Sequence, residues 1–444
     1  MTYKKHLRNT LNLAYPVIIG QLGFIMMGVV DSLMVGTLGP APLAAASLGN
    51  SLTLIIFIVG IGISFAVTPL VAISIGAKKY SECGIYFRQS LLVNLAVGLI
   101  LTFIVVAGSE LIIYFDQPLE VTNLAKSYTK ILGLGGIPLM LFQTYKQFIE
   151  GLSVMKPAMI IAILANFVNA FVNWVLIFGK LGFPALGLDG AGWATFSSRL
   201  FMAIILMIYV MSRIRFKQYD VSFHFKNINF PIIKKILSLG LPSGSQYFFE
   251  VGAFSFAVIM IGWLGTDQLA AHQIAINLAS VSFMVVLGIS MAGGIRVGNG
   301  VGEQNIKQVR MAGFSSIFLA ICFMAFSGLV FIIFRDWLPT LYIKDQNVIS
   351  IASSLLIIAA LFQLSDGTQA VGIGILRGLT DVKIPTAITF IAYWIVGLPT
   401  GYLLGFILGL DVQGVWIGLL AGLTTSAVLL TLRFNAKSKR IIKI

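Results

Sequence analysis

Gly36-Thr37-Leu38-Gly39-Pro40-Ala41-Pro42-Leu43-Ala44-Ala45 returns in the second half of the chain as Gly262-Trp263-Leu264-Gly265-Thr266-Asp267-Gln268-Leu269-Ala270-Ala271. The register holds without a gap between residues 13–76 and 239–302, with 18 identities in 64 positions. About one identity in ten would be expected of unrelated apolar segments. Gly62-Ile63-Ser64 meets Gly288-Ile289-Ser290, and Gly76 meets Gly302. The chain is one unit of about half its length written twice. Both copies are intensely apolar, and duplication inside a membrane points to transport.

Composition fixes the solvent. Of 444 residues, 58% are hydrophobic and 10% charged, and the mean hydropathy is +0.96. A soluble domain carries about 25% charged residues. The apolar runs match the length of about 20 residues that a spanning helix needs and do not alternate, so helices rather than a barrel are predicted. Twelve spans follow: residues 12–36, 47–75, 88–114, 125–149, 157–179, 190–212, 234–262, 272–298, 311–334, 349–376, 384–408 and 413–433. The short basic start, Met1 to Asn9, merges into the first span without a cleavage site, so that span is expected to be retained. Cys83 and Cys322 form no metal or redox spacing.

The charges sort by side. Of 30 Lys and Arg, 23 fall on the side of the N-terminus, five (Lys126, Lys130, Lys180, Arg335, Lys344) on the other, and Lys146 and Arg199 within or near spans. The positive-inside rule then places both termini in the cytoplasm of a multi-pass inner-membrane protein. The net charge of +14 is a topology signal and not a nucleic-acid footprint. Six spans per copy is an even number, so the copies enter in the same orientation, as a parallel repeat. The fold expected is all-α, with two pseudo-symmetric six-helix bundles: residues 1–212, a cytoplasmic linker 213–235 containing His224 and Lys226, and residues 236–444.

Sixteen acids are present. Most fall in loops; Glu110 and Glu150 lie at span ends, and Asp31, Glu250 and Asp366 lie deep in spans one, seven and ten. An ionised carboxylate costs several kcal/mol in the bilayer unless it faces a partner, a cavity or a coupling ion. No Lys or Arg lies at matching depth in those three spans, which favours exchangeable cations over fixed ion pairs. Two hard carboxylates with hydroxyls and carbonyls suit Na⁺ or H⁺, and no His or Cys joins them to hold a transition metal. In the repeat register Asp31 meets Ala257 and Glu250 meets Phe24, so the halves share a frame and differ in chemistry.

Val30-Asp31-Ser32, Phe248-Phe249-Glu250-Val251, Ala270-Ala271-His272-Gln273 and Arg296-Val297-Gly298 resemble signatures of the multidrug and toxic compound extrusion (MATE) transporters. So do Asp366-Gly367-Thr368-Gln369, Leu376-Arg377-Gly378 and Tyr393-Trp394 through Gly397-Leu398-Pro399-Thr400-Gly401-Tyr402. The resemblance covers essentially the whole chain and is closest to the bacterial NorM-type branch. It implies antiport of organic cations against Na⁺ or H⁺ by alternating access. It also implies a cation site at Glu250 and Asp366, and a proton or substrate site at Asp31 with Asn169 and Asn173. Phe362 stands where related members can place a Tyr.

Tyr247, three residues before Glu250, and Tyr393 are candidates to line a cleft; Gln273 and Asn277, which share a helix face, either line it too or bond across helices. His272 is expected at an outer helix start, and Pro138 and Pro399 are the expected kinks. No P-loop, catalytic Cys/His pair or metal cluster is present, so neither an enzyme nor an ATP-driven pump is expected. The reading is a cofactor-free monomeric antiporter of cationic drugs that needs no ATPase subunit. A lipid-linked oligosaccharide flippase is the alternative; three carboxylates and little intramembrane positive charge speak against a diphosphate ligand.

Overall fold

A computed structural model describes residues 3–221 and 228–440; His224 and Lys226 of the linker lie outside the described residues. The N-terminal repeat runs α1 (Tyr3–Gly36), α2 (Pro40–Ser64), α3 (Val67–Gly76), α4 (Tyr80–Gly108), α5 (Leu119–Leu134), α6 (Gly136–Gly151), α7 (Lys156–Phe178) and α8 (Leu188–Ser212). The short α9 (Ile214–Lys217) begins the connecting segment. The C-terminal repeat runs α10 (Phe230–Leu264), α11 (Thr266–Gly302), α12 (Ile306–Ile333), α13 (Gln346–Gly378), α14 (Lys383–Phe390), α15 (Leu398–Tyr402) and α16 (Asp411–Lys437). Wide-turn π-helical stretches, Ile391–Gly397 and Leu403–Ile407, join and extend α14 and α15 into one rod. Among the described residues eleven rods are long and apolar enough to cross a membrane. The twelfth of the expected spans is the α5–α6 pair, divided at Gly135.

The duplication is visible in the backbone. Turns at matching places hold left-handed residues: Gly39 (φ 117) and Gly265 (φ 147), Lys78 (58) and Gln304 (53), Ser153 (63) and Thr380 (56). The first pair explains an identity in the opening motif, because such a φ favours a residue without Cβ.

The copies part where proline intervenes. Pro69 has no N–H to donate to the carbonyl four residues back, and its ring clashes there. The helix accordingly breaks at Phe65 and Ala66, whose N–H groups turn to Gly62 and Ile63 instead. At the equivalent position the C-terminal repeat has Ile295, and α11 runs unbroken. Pro138 does the same at the α5–α6 break, while α13 continues through its counterpart region. Pro399 comes two residues after the end of the first π-helical stretch.

Backbone contacts divide the chain into two compact units, Ile19–Gly244 and Met1–Ile18 with Ser245–Ile444. These differ from the sequence-drawn lobes in the opening turns of α1 and α10. The two division points, after Ile18 and after Gly244, occupy equivalent places in the repeat register. Each comes just after a proline inside its helix, Pro16 and Pro242. In the second unit the opening turns of α1 pack on α11, where a Cβ at Gly288 would meet Ile18 Cγ1 at 2.5 Å. The buried Arg296 of α11 also donates to the His6 carbonyl at 2.8 Å. In the first unit the opening turns of α10 pack on α2, where a Cβ at Gly62 would meet Gly244 Cα at 2.5 Å.

Candidate functional site

In the first unit, α1 carries Asp31 against α7 and α8. Asn173 Nδ2 donates to Asp31 Oδ1 at 2.5 Å and to Asn169 Oδ1 at 3.1 Å. Thr195 Oγ1, from α8, donates to Asp31 Oδ2 at 3.2 Å. Asn169 and Asn173 are buried and lie four residues apart on one face of α7, so one helix turn presents both amides. Of their remaining atoms, Asn173 Oδ1 has no partner among the described residues, and Asn169 Nδ2 lies close enough to act on the Asp31 carboxylate. Thr195 escaped the sequence reading because a Thr inside an apolar span has no local signal. Arg199, one turn beyond it, donates to the Leu132 carbonyl at 3.2 Å and lies 5.6 Å from the Phe57 ring. Its charge also acts on Asp31, a neighbour that comparing depths within spans one, seven and ten could not reveal.

In the second unit, Glu250 of α10 and Asp366 of α13 are near enough for the charge of one to act on the other. Asp366 is 6% exposed and Glu250 half-buried. Gln369, three residues after Asp366 and so on a nearby part of the helix surface, directs Nε2 to Glu250 Oε1 at 3.4 Å. The same amide pairs with the Tyr393 hydroxyl, with Nε2 at 2.8 Å and Oε1 at 3.0 Å. Gln369 closes the stretch Asp366-Gly367-Thr368-Gln369, and its three-residue spacing from Asp366 is the sequence signal that points to it. Arg377, the last cation of α13, lies 5.9 Å from the Tyr247 ring, and its charge reaches Glu250.

The secondary candidates separate. Gln273 and Asn277 share an exposed face of α11 and bond each other at 3.4 Å. Tyr247 is half-buried one turn before Glu250. Tyr393 corrects the expectation of a cleft-lining ring: it is 0% exposed and packs on Phe254 at 5.8 Å. Its neighbour Trp394 is anchored by Nε1 to the Phe249 carbonyl at 3.0 Å. Tyr O–H and Trp N–H groups taken out of water need hydrogen-bond partners, which Gln369 and the Phe249 carbonyl supply here. His272 is likewise buried, accepting from Trp416 Nε1 at 3.1 Å. Phe362 fills core against Trp416 (5.5 Å) and Phe254 (6.1 Å). Among the described residues no group of three or more His, Cys, Asp or Glu is placed to hold a metal.

A single family model, MatE, matches this chain twice, over residues 16–175 and 242–403. The two matches begin at equivalent places, Pro16 and Pro242, in the register of the internal repeat. The chain belongs to the MatE family. It is 37% identical to "Probable multidrug resistance protein NorM" of Mesorhizobium japonicum, over 98% of this chain and 95% of that one. It is 36% identical to "Multidrug resistance protein MdtK" of Yersinia pseudotuberculosis, over 98% and 96%. The solved "eukaryotic MATE transporter AtDTX14" superposes with a TM-score of 0.89 over 98% of each chain, at 21% identity. That last likeness establishes the MatE fold alone. Asp31 lies inside the first matched segment and Glu250 and Asp366 inside the second.

Proposed function

We propose that this MatE protein exports amphipathic organic cations across the cytoplasmic membrane, driven by inward flow of Na⁺ or H⁺. Like its family it is a transporter and not an enzyme. The observation that carries the reading is the bonding of the deep acids. Asp31 and Glu250 accept hydrogen bonds from neutral amides and a hydroxyl, in separate repeats. Carboxylates held that way keep their charge available for a mobile cation. Glu250 with Asp366 forms the coupling-ion site, where a cation between two acids relieves their repulsion. Asp31 with Asn169, Asn173 and Thr195 forms the site at which proton and cationic substrate compete. The names of the relatives, aligned over 98% of this chain, favour drugs over lipid-linked oligosaccharides as substrate.

In this reading both termini are cytoplasmic, the protein works as a monomer, and no ATPase subunit is required. The energy source is an ion gradient. The test is ethidium transport by purified protein in vesicles, with Na⁺ and H⁺ gradients imposed separately. Uptake against at least one gradient is expected. Ethidium movement indifferent to both would overturn coupled export.

A further inference from the structure

The first unit holds a charged pair that neither acid cluster uses. Lys146 and Glu150 sit one turn apart on α6, 7% and 1% exposed, with Nζ 3.9 Å from Glu150 Oε1. That is a loose pair, since charge-assisted N–H···O bonds close to about 2.7–2.9 Å. Glu150 Oε2 has no partner among the described residues. The arrangement is also wrong for stability on two counts. Lysine before glutamate is the weaker order of an i, i+4 pair. Glu150 further stands in the last turn of α6, where the helix dipole disfavours a carboxylate. The attraction of a buried pair repays desolvation only when its geometry and remaining hydrogen bonds are good, and this pair has neither.

Its position supplies a use. The Lys146 ammonium lies 5.7 Å from the ring of Phe24 on α1. Phe24 is two helical turns before Asp31 on the same face, about 10 Å along the axis. Between them stands Gly28, and nothing lies within 4 Å of where its Cβ would be. Beyond Glu150, α6 ends at Gly151 and the chain reaches the exposed Lys156 at the start of α7. Asp31, the open strip at Gly28, Lys146, Glu150 and the loop thus follow one another toward the end of the unit that the proposed topology makes cytoplasmic.

Among the described residues no other carboxylate or ammonium competes; the buried, unpartnered Tyr145 hydroxyl on α6 and the Cys83 thiol and Tyr86 hydroxyl on α4 are weak acids, whose ordinary pKa values of about 8.5–10 keep them neutral at pH 7. α2 and α3, packed on α6, carry no ionisable group. On α4, Glu82 pairs with Lys79 and Arg88 with Asp220. On α5, Lys126 and Lys130 pair with Glu110, and the Tyr128 hydroxyl bonds Asn50. On α8, Asp189 is bonded by Ser127 and Arg199 bonds the Leu132 carbonyl. Among the described residues Lys146 is the charged partner beside Glu150, its Nζ 3.9 Å from Oε1.

We propose that Glu150, poised by Lys146, relays protons between Asp31 and the cytoplasm. The Asp31 carboxyl loses a proton to water over Gly28, and the Glu150 carboxylate gains one; Glu150 then releases it to cytoplasmic water. Only O–H bonds form and break, and the Lys146 ammonium returns Glu150 to its charged form between transfers. The inference rests on proton exchange at Asp31 in the proposed function.

The test uses full-length protein in proteoliposomes under an imposed proton gradient, with ethidium as the probe. Glu150→Gln is expected to slow proton-driven transport about tenfold while ethidium Kd at fixed pH stays within twofold. Glu150→Asp, which keeps a carboxyl, is expected to restore at least half the rate. The double variant Lys146→Met/Glu150→Gln removes both charges, so a merely structural pair would regain the wild-type rate, whereas a relay stays slow. Wild-type transport by Glu150→Gln or by the double variant overturns the relay alone. So does loss of ethidium binding in Glu150→Gln in proportion to transport. If the wild-type protein neither responds to the proton gradient nor releases protons on binding ethidium, proton coupling at Asp31 fails and the relay with it.

Discussion

The two repeats share an offset and a set of turns, yet they break their helices in different places. The N-terminal copy interrupts its second and fourth rods at Pro69 and Pro138, where the C-terminal copy has the continuous α11 and α13. The C-terminal copy distorts its fifth rod instead, around Pro399, where α7 runs regularly. The acids follow the same division. The copy with broken second and fourth rods holds one deep acid under two asparagines and a threonine. The copy with the continuous α13 uses it to carry Asp366 and Gln369 toward Glu250 and Tyr393. The copies share an offset and a set of turns, and different residues at the deep positions give each half separate chemistry.

The sharpest way to break this comparison is to neutralise the acids one repeat at a time. Glu250→Gln or Asp366→Asn is expected to lower gradient-driven efflux at least about a hundredfold, since a neutral side chain cannot hold Na⁺ by charge or cycle a proton. Membrane insertion should be unchanged on a blot of washed membranes. Wild-type efflux by both single variants would remove the ion site from the C-terminal repeat.

Asp31→Asn is expected to act differently. It keeps the shape of the hydrogen-bonded group and removes titration, so efflux plotted against external pH should flatten, and cationic-drug binding should weaken about tenfold. An unaltered pH curve would make Asp31 a packing residue.

The helix breaks can be exchanged. Ile295→Pro imposes on α11 the interruption that Pro69 imposes on its counterpart, and a proline inside a helix costs about 3 kcal/mol or more. A drop of several degrees in the thermal unfolding midpoint is expected. No change would mean that α11 already tolerates a break there.

The smallest effect separates two glycines at equivalent positions. A Cβ at Gly62 would meet Gly244 Cα at 2.5 Å, which is backbone, whereas its first obstacle at Gly288 is the Ile18 side chain. Gly62→Ala is expected to destabilise by about 1–3 kcal/mol, the usual range for overpacking, and Gly288→Ala by less. Equal losses in parallel melts would show that the opening turns of α1 are as rigidly held as those of α10.

The sequence by itself determined the membrane class, the duplication and the approximate rods, because bilayer burial demands long apolar runs and a repeat preserves its offset. It also singled out Asp31, Glu250 and Asp366, since a carboxylate in such a run is conspicuous. Pro138 and Pro399 were readable as distortions from the missing N–H; Pro69 was readable on the same ground and went unread. Only the tertiary structure decided that Thr195 and Gln369 join the acids. It alone decided that Tyr393 and His272 turn inward, and that Glu150 is buried beside Lys146 and not merely at a span end. The bonds to Thr195, Gln369, Tyr393 and His272 depend on which helix faces meet across 24 to 164 positions of chain, as in the Gln369–Tyr393 and Thr195–Asp31 bonds, and the burial of the Lys146–Glu150 pair depends on the helices packed around α6. Hydropathy says how deep a residue lies, but the direction in which it points is set by the neighbouring helices that satisfy its polar atoms.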